Sequence, residues 1–378
     1  MTASEDGLSR IALPEGALRI VLDGTPLTAE TGGIRRYAEE LSLALAQAGN
    51  GDAVHLVSDQ PLPRSPRLEA AGVCLHGDAA KGWSKRWWLA GLPRCCRQMG
   101  ASVFHGTDFA VPYLHRVPAV MTIHDLSPWK QRMWQPEASR VRRRMPWMLR
   151  LGLADAVITV SETVRREVLA YFRIAPERVH AIPLAADARF RPVPAADGAQ
   201  SYFLFVGTLE PRKNVAALVE AWKPVFRECG VPLKVAGRRR KDFVAPAEAP
   251  GIEWLGAVTD EELAALYSGA LAVVYPSVYE GFGLPVLEAM QCGAPVVVGA
   301  AEALREVAGD GAICLGGNES GGLGEWSDVL RRFATDPAWR QEWSRRSIAR
   351  AAGFSWTRTA AETRGVYLEA IRRFERKA

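Results

Sequence analysis

Two successive rows of short apolar runs alternating with helix-period segments constrain this chain more than any other feature. In the first row, strand-like pieces fall at residues 18–22, 53–57, 103–105, 119–123, 156–160 and 179–182. Between them, Ile34, Tyr37, Leu41 and Leu45 recur at helical spacing, and helical segments are expected at about 85–98, 137–153 and 162–171. In the second row, strands are expected at 202–206, 233–236, 252–255, 271–275 and 294–298. Helices separate most of these too. A strand that is regularly followed by a helix can only rejoin its sheet in parallel, so the pattern predicts doubly wound α/β sheets. Such sheets bind ligands beyond the C-terminal ends of their strands.

The rows are separated by residues 183–200, rich in Ala, Pro and Asp, which break the alternation. At 378 residues the chain exceeds one typical core. The expected division is therefore residues 18–183 and 184–356, with a loose leader over 1–17 and a last helix over about 357–378. The glycine-rich stretch 316–324 lacks phosphate-loop spacing and reads as a connector. Six cysteines without Cys-x-x-Cys spacing fit a reducing cytoplasm. The acidic, polar start MTASED predicts no signal peptide. No apolar run reaches the roughly 18 residues of a membrane span. The net charge of +5 gives no ground for a nucleic-acid partner.

The best-furnished loop lies between the strands at 271–275 and 294–298. Gly281 and Gly283 would let backbone approach a ligand closely. Pro285 suits the first helical position, and Gly293 the position just past the helix end. Free N–H groups at this helix start favour an anion such as a diphosphate. Glu280 and Glu288 could face one cavity and accept hydrogen bonds from hydroxyls, or merely favour the positive helix end. After the strand at 202–206 comes Gly-Thr-Leu-Glu-Pro-Arg212-Lys213-Asn214. There Asn214 is expected to cap a helix over 215–228, and the two cations would clamp a diphosphate or remain a solvated pair. Arg238 to Lys241 reads as a solvated run. Thr259-x-x-Glu262 predicts a capping box. In the first row, Gly32 and Gly33 form a βα loop that is not G-x-G-x-x-G. His105 and His124 stand at strand ends, where a histidine could hydrogen-bond a hydroxyl or move a proton. His55, His76, His115 and His180 carry no spacing that points to a role.

Glu280-Gly-Phe-Gly-Leu-Pro-Val-Leu-Glu288, with Ala289, Gly293 and Pro295 following, resembles the E-x7-E signature of retaining glycosyltransferases of the group-1 (family 4) class. Residues 207–214 resemble that family's second-domain donor loop. Val120-x-Thr-Ile-His124-Asp125-Leu resembles its N-domain histidine motif, and residues 154–162 a further segment. The resemblance implies the GT-B fold, two Rossmann-like domains facing across a cleft, with the last helix crossing back onto the first. It implies that Arg212 and Lys213 hold the leaving diphosphate and that Glu288 binds ribose. Glu280 and the backbone of Gly281, Phe282, Gly283 and Leu284 would position the sugar. His124 would orient the sugar from the other domain, Gly32 and Gly33 would contact donor or acceptor, and Val258 would lie against the base. It also favours same-face attack, with the leaving phosphate taking the acceptor's proton.

No Asp-x-Asp pair occurs, so no carboxylate site for a phosphate-bridging ion is expected. The donor-loop type resembles bacterial mannosyltransferases of surface polysaccharide assembly. GDP-mannose is therefore the first expected donor, UDP-glucose the second, and a glycan or lipid-linked saccharide the acceptor, with no cofactor. A nucleotide-sugar epimerase or hydrolase of the same fold, and a noncatalytic nucleotide-sugar-binding protein, are the rival readings. Residues 51–150 hold fifteen Lys/Arg against seven Asp/Glu, an excess of eight, interleaved with tryptophans. The stretches 83–97 and 140–150 could meet anionic lipid at the inner face of the cell membrane, or could be helices with one core face and one solvated face.

Overall fold

The computed structural model describes residues 13–79, 86–114, 116–131, 134–135, 138–194, 201–246, 249–316 and 322–377. Most of the expected leader, Trp83, His115, the end of the 183–200 hinge and the middle of the 316–324 connector lie outside the described residues. The chain divides into two compact units. The first comprises residues up to Trp129, Pro136–Leu184 and Trp356–Ala378, and the second Lys130–Gln135 and Ala185–Ser355.

Among the described residues, the first unit holds a seven-stranded parallel sheet. Its strands are β1 (Arg19–Asp23), β2 (Ala53–Val57), β3 (Cys74–His76), β4 (Val103–Gly106), β5 (Ala119–Ile123), β6 (Ala156–Thr159) and β7 (Val179–Ala181), in spatial order β3-β2-β1-β4-β5-β6-β7. Helices α1 (Gly33–Gln47), α2 (Pro66–Ala70), α3 (Leu92–Met99), α4 (Ser127–Lys130), α5 (Ser139–Arg150) and α6 (Glu162–Phe172) follow strands in turn. A π-helical turn at Trp87–Gly91 leads into α3. Strands β4, β5 and β6 are buried along their whole length, as parallel strands covered on both faces must be. Leu92, Cys95, Cys96 and Met99 recur at helical spacing and pack on Val21, Val57 and Phe104. Met145, Met148 and Leu149 of α5 join Val164 and Val168 of α6 over Met121, Ile123 and Val157. Ser161 caps α6, its hydroxyl accepting from the Val164 N–H.

Among the described residues, the second unit carries a six-stranded parallel sheet: β8 (Tyr202–Val206), β9 (Leu233–Ala236), β10 (Ile252–Gly256), β11 (Ala270–Tyr275), β12 (Val296–Val298) and β13 (Ile313–Cys314), in order β10-β9-β8-β11-β12-β13. Helices α7 (Val215–Cys229), α8 (Asp260–Gly269), α9 (Leu284–Gln291), α10 (Glu302–Ala308), α11 (Gly322–Thr335) and α12 (Pro337–Ala351) cover it. Thr259 and Glu262 make the expected capping box of α8. Asp336 caps α12, accepting from the Trp339 N–H. The last helix, α13 (Trp356–Glu375), belongs to the first unit, where it packs on α1. Its Tyr367 hydroxyl meets His105 Nδ1 at 2.7 Å, and His105 Nε2 meets Thr122 Oγ1 at 2.7 Å. Burial, then the charge of His124, pushes the His105 imidazole down to about 3. His105 is thus a neutral core residue tying α13 to the sheet.

Expected strand positions agree with the observed ones to within two residues. β3, β13 and α2, each five residues or shorter, went unread because so few residues establish no period.

Candidate active site

In each sheet the chain reverses its direction of growth once. In the second sheet this happens between β8 and β11, the kind of place where open α/β sheets bind ligands. Both loops carry the expected site residues. The loop after β8 is held against the loop after β9: Leu209 N–H donates to the Arg238 carbonyl (2.8 Å), and Arg240 N–H to the Leu209 carbonyl (3.1 Å). Only glycine fits at 237, where φ is +141° and a Cβ would lie 2.0 Å from the Gly207 oxygen. On the other side, Val278 N–H donates to the Arg212 carbonyl at 3.0 Å. These backbone ties set the side chains that follow.

Lys213 Nζ donates to Glu280 Oε1 at 2.5 Å, and Arg212 Nη1 to Glu280 Oε2 at 3.1 Å. Arg212 Nε also donates to Glu210 Oε1 at 2.6 Å, and Arg240 Nη1 to Glu210 Oε2 at 2.9 Å. Arg240 continues to Asp242 at 2.6 Å. Lys213, Glu280 and Glu210 are all less than a tenth exposed. Burial works to raise the Glu280 carboxyl, but the charges of Lys213 and then Arg212 outweigh it and hold it below the usual range. Three cations and three carboxylates thus form one network. An incoming diphosphate would take Lys213 and Arg212 from a carboxylate that already preorganises them. Sequence reasoning missed Glu210 and Arg240, and the run at 238–241 is not simply solvated. Arg240 joins the network, and Arg239 lies over the Trp254 ring at 4.7 Å.

The expected cap at Asn214 is corrected. Its backbone is left-handed (φ +54°), its side chain makes no cap bond to α7, and its amide donates to the Pro276 carbonyl at 3.4 Å. Arg212 and Lys213 accordingly sit in the tight turn Pro211–Lys213, ahead of α7.

Beyond Glu280 the chain enters α9 through Gly283, with φ +106°. A Cβ there would lie 2.4 Å from Leu304 Cδ2, so glycine is required. Leu284 is the first helical residue and Pro285 the second, one place later than expected, and no side chain caps this turn. Phe282 packs edge-on to Phe354 (6.2 Å). Glu288, a turn into α9, is 1% exposed and accepts from the Tyr267 hydroxyl at 3.2 Å. Burial, then the charges of Glu288 and Glu280, pushes the Tyr275 hydroxyl far up, so both glutamates act on one neighbourhood. Trp134 stacks on Tyr279 at 5.6 Å and 21°, with Lys130 Nζ 5.5 Å from that ring. Val258 is half-buried after β10.

In the first unit the reversal lies between β1 and β4. Gly32 and Gly33 are exposed at the start of α1, Gly32 with φ +139° and open space where a Cβ would be. His124, at the end of β5, donates from Nε2 to the Thr107 carbonyl (2.8 Å) and meets the Tyr37 ring edge-on at 4.9 Å. Burial lowers its basicity against the opposing pull of Thr107 and Asp125, so a neutral ring presents Nδ1 as acceptor. Asp23, the last residue of β1, is raised to about 6 by burial, and Asp108 to about 7 by burial and then the charges of Asp23 and Asp125.

Comparison with known proteins gives these loops a family. The model for glycosyl transferases group 1 matches residues 187–349, and that for glycosyltransferase family 4 matches residues 31–190. The O-antigen chain mannosyltransferase B of Escherichia coli is 34% identical over 286 residues, 70% of this chain and 74% of that protein. The chain belongs to the group-1, family-4 glycosyltransferases. Solved glycosyltransferases share the fold. Sucrose-phosphate synthase from Thermosynechococcus elongatus superposes with a TM-score of 0.71 at 21% identity, covering 93% of this chain and 98% of that one. Anabaena Alr3699/HepE, solved with UDP-glucose, gives 0.68 at 18% identity, covering 92% and 99%. The glycosyltransferase is thus of the GT-B type, built of two parallel-sheet α/β domains.

Proposed function

We propose that this glycosyltransferase moves mannose from GDP-mannose to a hydroxyl of a glycan or lipid-linked saccharide, with retention at the anomeric carbon and without a divalent metal or other cofactor. The reading rests chiefly on the buried Lys213–Arg212–Glu280 cluster at the β8/β11 reversal. Its cations can meet a diphosphate where a metal would otherwise serve, and no Asp-x-Asp pair offers ligands for that metal. The mannose assignment is supported by the O-antigen mannosyltransferase relative. UDP-glucose is second, because HepE was solved with it.

The roles proposed are these. Lys213 and Arg212 take the phosphates, whose charge grows as the glycosidic bond breaks. Glu280 holds both cations in place and positions the sugar with the Gly281–Leu284 backbone. Glu288 takes the ribose hydroxyls, Val258 lies against the base, and Gly32 and Gly33 line the donor or acceptor. His124 Nδ1 accepts a hydrogen bond from a sugar hydroxyl. The acceptor oxygen attacks the anomeric carbon from the face the diphosphate leaves, and its proton passes to the leaving phosphate oxygen.

No helix among the described residues is long and apolar enough to cross a membrane. We place the chain in the cytoplasm, with α5 touching the inner face of the cell membrane. Trp147 and Leu151 are 59% and 67% exposed there, amid the exposed Arg140, Arg143, Arg144 and Arg150. The earlier stretch offers less: Trp87 is buried in the core, and Trp88 packs against that core.

The test is product analysis. The chain is incubated with GDP-mannose and a membrane acceptor fraction in excess EDTA. Mannosylated product with the donor's anomeric configuration is expected. An inverted product contradicts retention, and GDP release without transfer favours a hydrolase.

A further inference from the structure

Far from the Lys213–Glu280 cluster in sequence, the edge of the first sheet brings together three side chains whose spacing shows nothing. β3 is the edge strand, and its register on β2 pairs His55 with Cys74 and Val57 with His76. Residues paired across parallel strands face the same side, as do alternate residues within one strand. His55, Cys74 and His76 therefore share the face on which Val21 and Val57 carry α3. The rings of His55 and His76 stack 5.3 Å apart, with His55 Nδ1 3.1 Å from His76 Nε2. The ligand atoms of all three residues lie within 4.8 Å of one another. Among the described residues this is the one group of three such side chains close enough to share an ion. Cys74 is a free, exposed thiol, and the two histidines are half-buried.

We propose that His55, Cys74 and His76 bind one zinc ion. Two imidazole nitrogens and a thiolate form a borderline-soft set suited to zinc rather than to magnesium or calcium. Zn–N bonds of about 2.0–2.1 Å at a tetrahedral angle put two nitrogens roughly 3.3 Å apart, close to the observed separation. The sulfur must close to roughly 3.6 Å from each nitrogen by the same geometry, which an exposed cysteine can do by rotating its side chain. Binding displaces the proton shared between the rings, which moves to the other nitrogen of the same ring by tautomerisation, and the thiol proton goes to solvent. Arg19 lies on the same face one strand over and opposes a cation, but its guanidinium is turned to the Met99 carbonyl (2.7 Å), and the thiolate supplies the offsetting charge. The ion fastens a three-residue edge strand to its neighbour and keeps its fourth position for water. This inference is independent of the transferase reading.

Cobalt(II) reports the site directly. The metal-free full chain is titrated with Co²⁺, followed by Zn²⁺. A sulfur-to-cobalt charge-transfer band in the near ultraviolet should saturate at one ion per chain and vanish when zinc is added. Cys74→Ser, at an exposed position, should melt like the metal-free parent yet lack the band. His76→Gln should weaken cobalt binding at least tenfold. No band in the parent chain, or an equal band in Cys74→Ser, overturns the proposal, since the second result assigns the signal to another of the six cysteines.

Discussion

Lys213 and Glu280, 67 residues apart, meet as a buried ion pair at 2.5 Å. A lone carboxylate would be strongly disfavoured in that position, and the charges of Lys213 and then Arg212 outweigh the burial and keep Glu280 ionised. The pair also states what a ligand must do. It must bring enough negative charge to compete for Lys213, and a diphosphate does so where a neutral sugar or nucleoside does not.

The first prediction follows from that competition. Lys213→Ala should weaken GDP binding by roughly ten- to a hundredfold, the loss of one charge-assisted bond of about 1.5–3 kcal/mol. Guanosine should bind nearly as before. Calorimetry on both ligands checks it, and equal GDP affinities would remove Lys213 from the site.

The two motif glutamates should separate kinetically. Glu280→Gln keeps volume and an acceptor for Lys213 but loses the charge that holds both cations. It should lower kcat by about a hundredfold, because positioning is realised in the transition state. Glu288→Gln should leave kcat within a few-fold and raise the donor KM about tenfold, because a ribose contact is similar in ground and transition states. Steady-state kinetics that show the reverse split would exchange the two roles.

Asp23 predicts a pH dependence of stability. Its folded value of about 6 lies above the ordinary 3.8, so the folded state binds the proton more tightly than the unfolded chain. Stability from this group is present below about pH 4 and is lost as pH rises through about 6. Asp23→Asn should therefore match the parent near pH 4 and exceed it at pH 8 by on the order of 2–3 kcal/mol. The Asn oxygen can still accept from the Thr25 N–H and hydroxyl, as Asp23 Oδ1 does at 3.0 and 2.6 Å. Thermal melts at the two pH values decide it; a variant no more stable at pH 8 contradicts it.

The α5 face should bind anionic vesicles at low salt. Basic residues near such a surface contribute about 1 kcal/mol each at most. Arg143→Glu with Arg144→Glu should release the protein, and so should raised salt. Flotation of the double variant equal to that of the parent would leave α5 an ordinary solvated face.

Strands such as β8 and β12 were legible because buried parallel strands are unbroken apolar runs. The capping box at Thr259 was legible because local spacing alone sets it. Arg240 and Glu210 were not. Their meeting depends on two loops lying side by side, which no local pattern records. The Asn214 cap failed because the tight turn at Pro211–Lys213 leaves that residue left-handed. The tryptophans at 87 and 88 looked like a surface, but a π-helical turn rotates them onto the core. Cys74 and the two histidines needed strand register before they could be seen together.

The most direct test of the central claim is calorimetric titration of the chain with GDP-mannose in excess EDTA, repeated with Mg²⁺. The account predicts equal affinity in both conditions, weaker binding of UDP-glucose, and a loss of at least tenfold in Lys213→Ala. Binding that appears only when the metal is restored, or that is unchanged in Lys213→Ala, would contradict a cation clamp at Arg212 and Lys213.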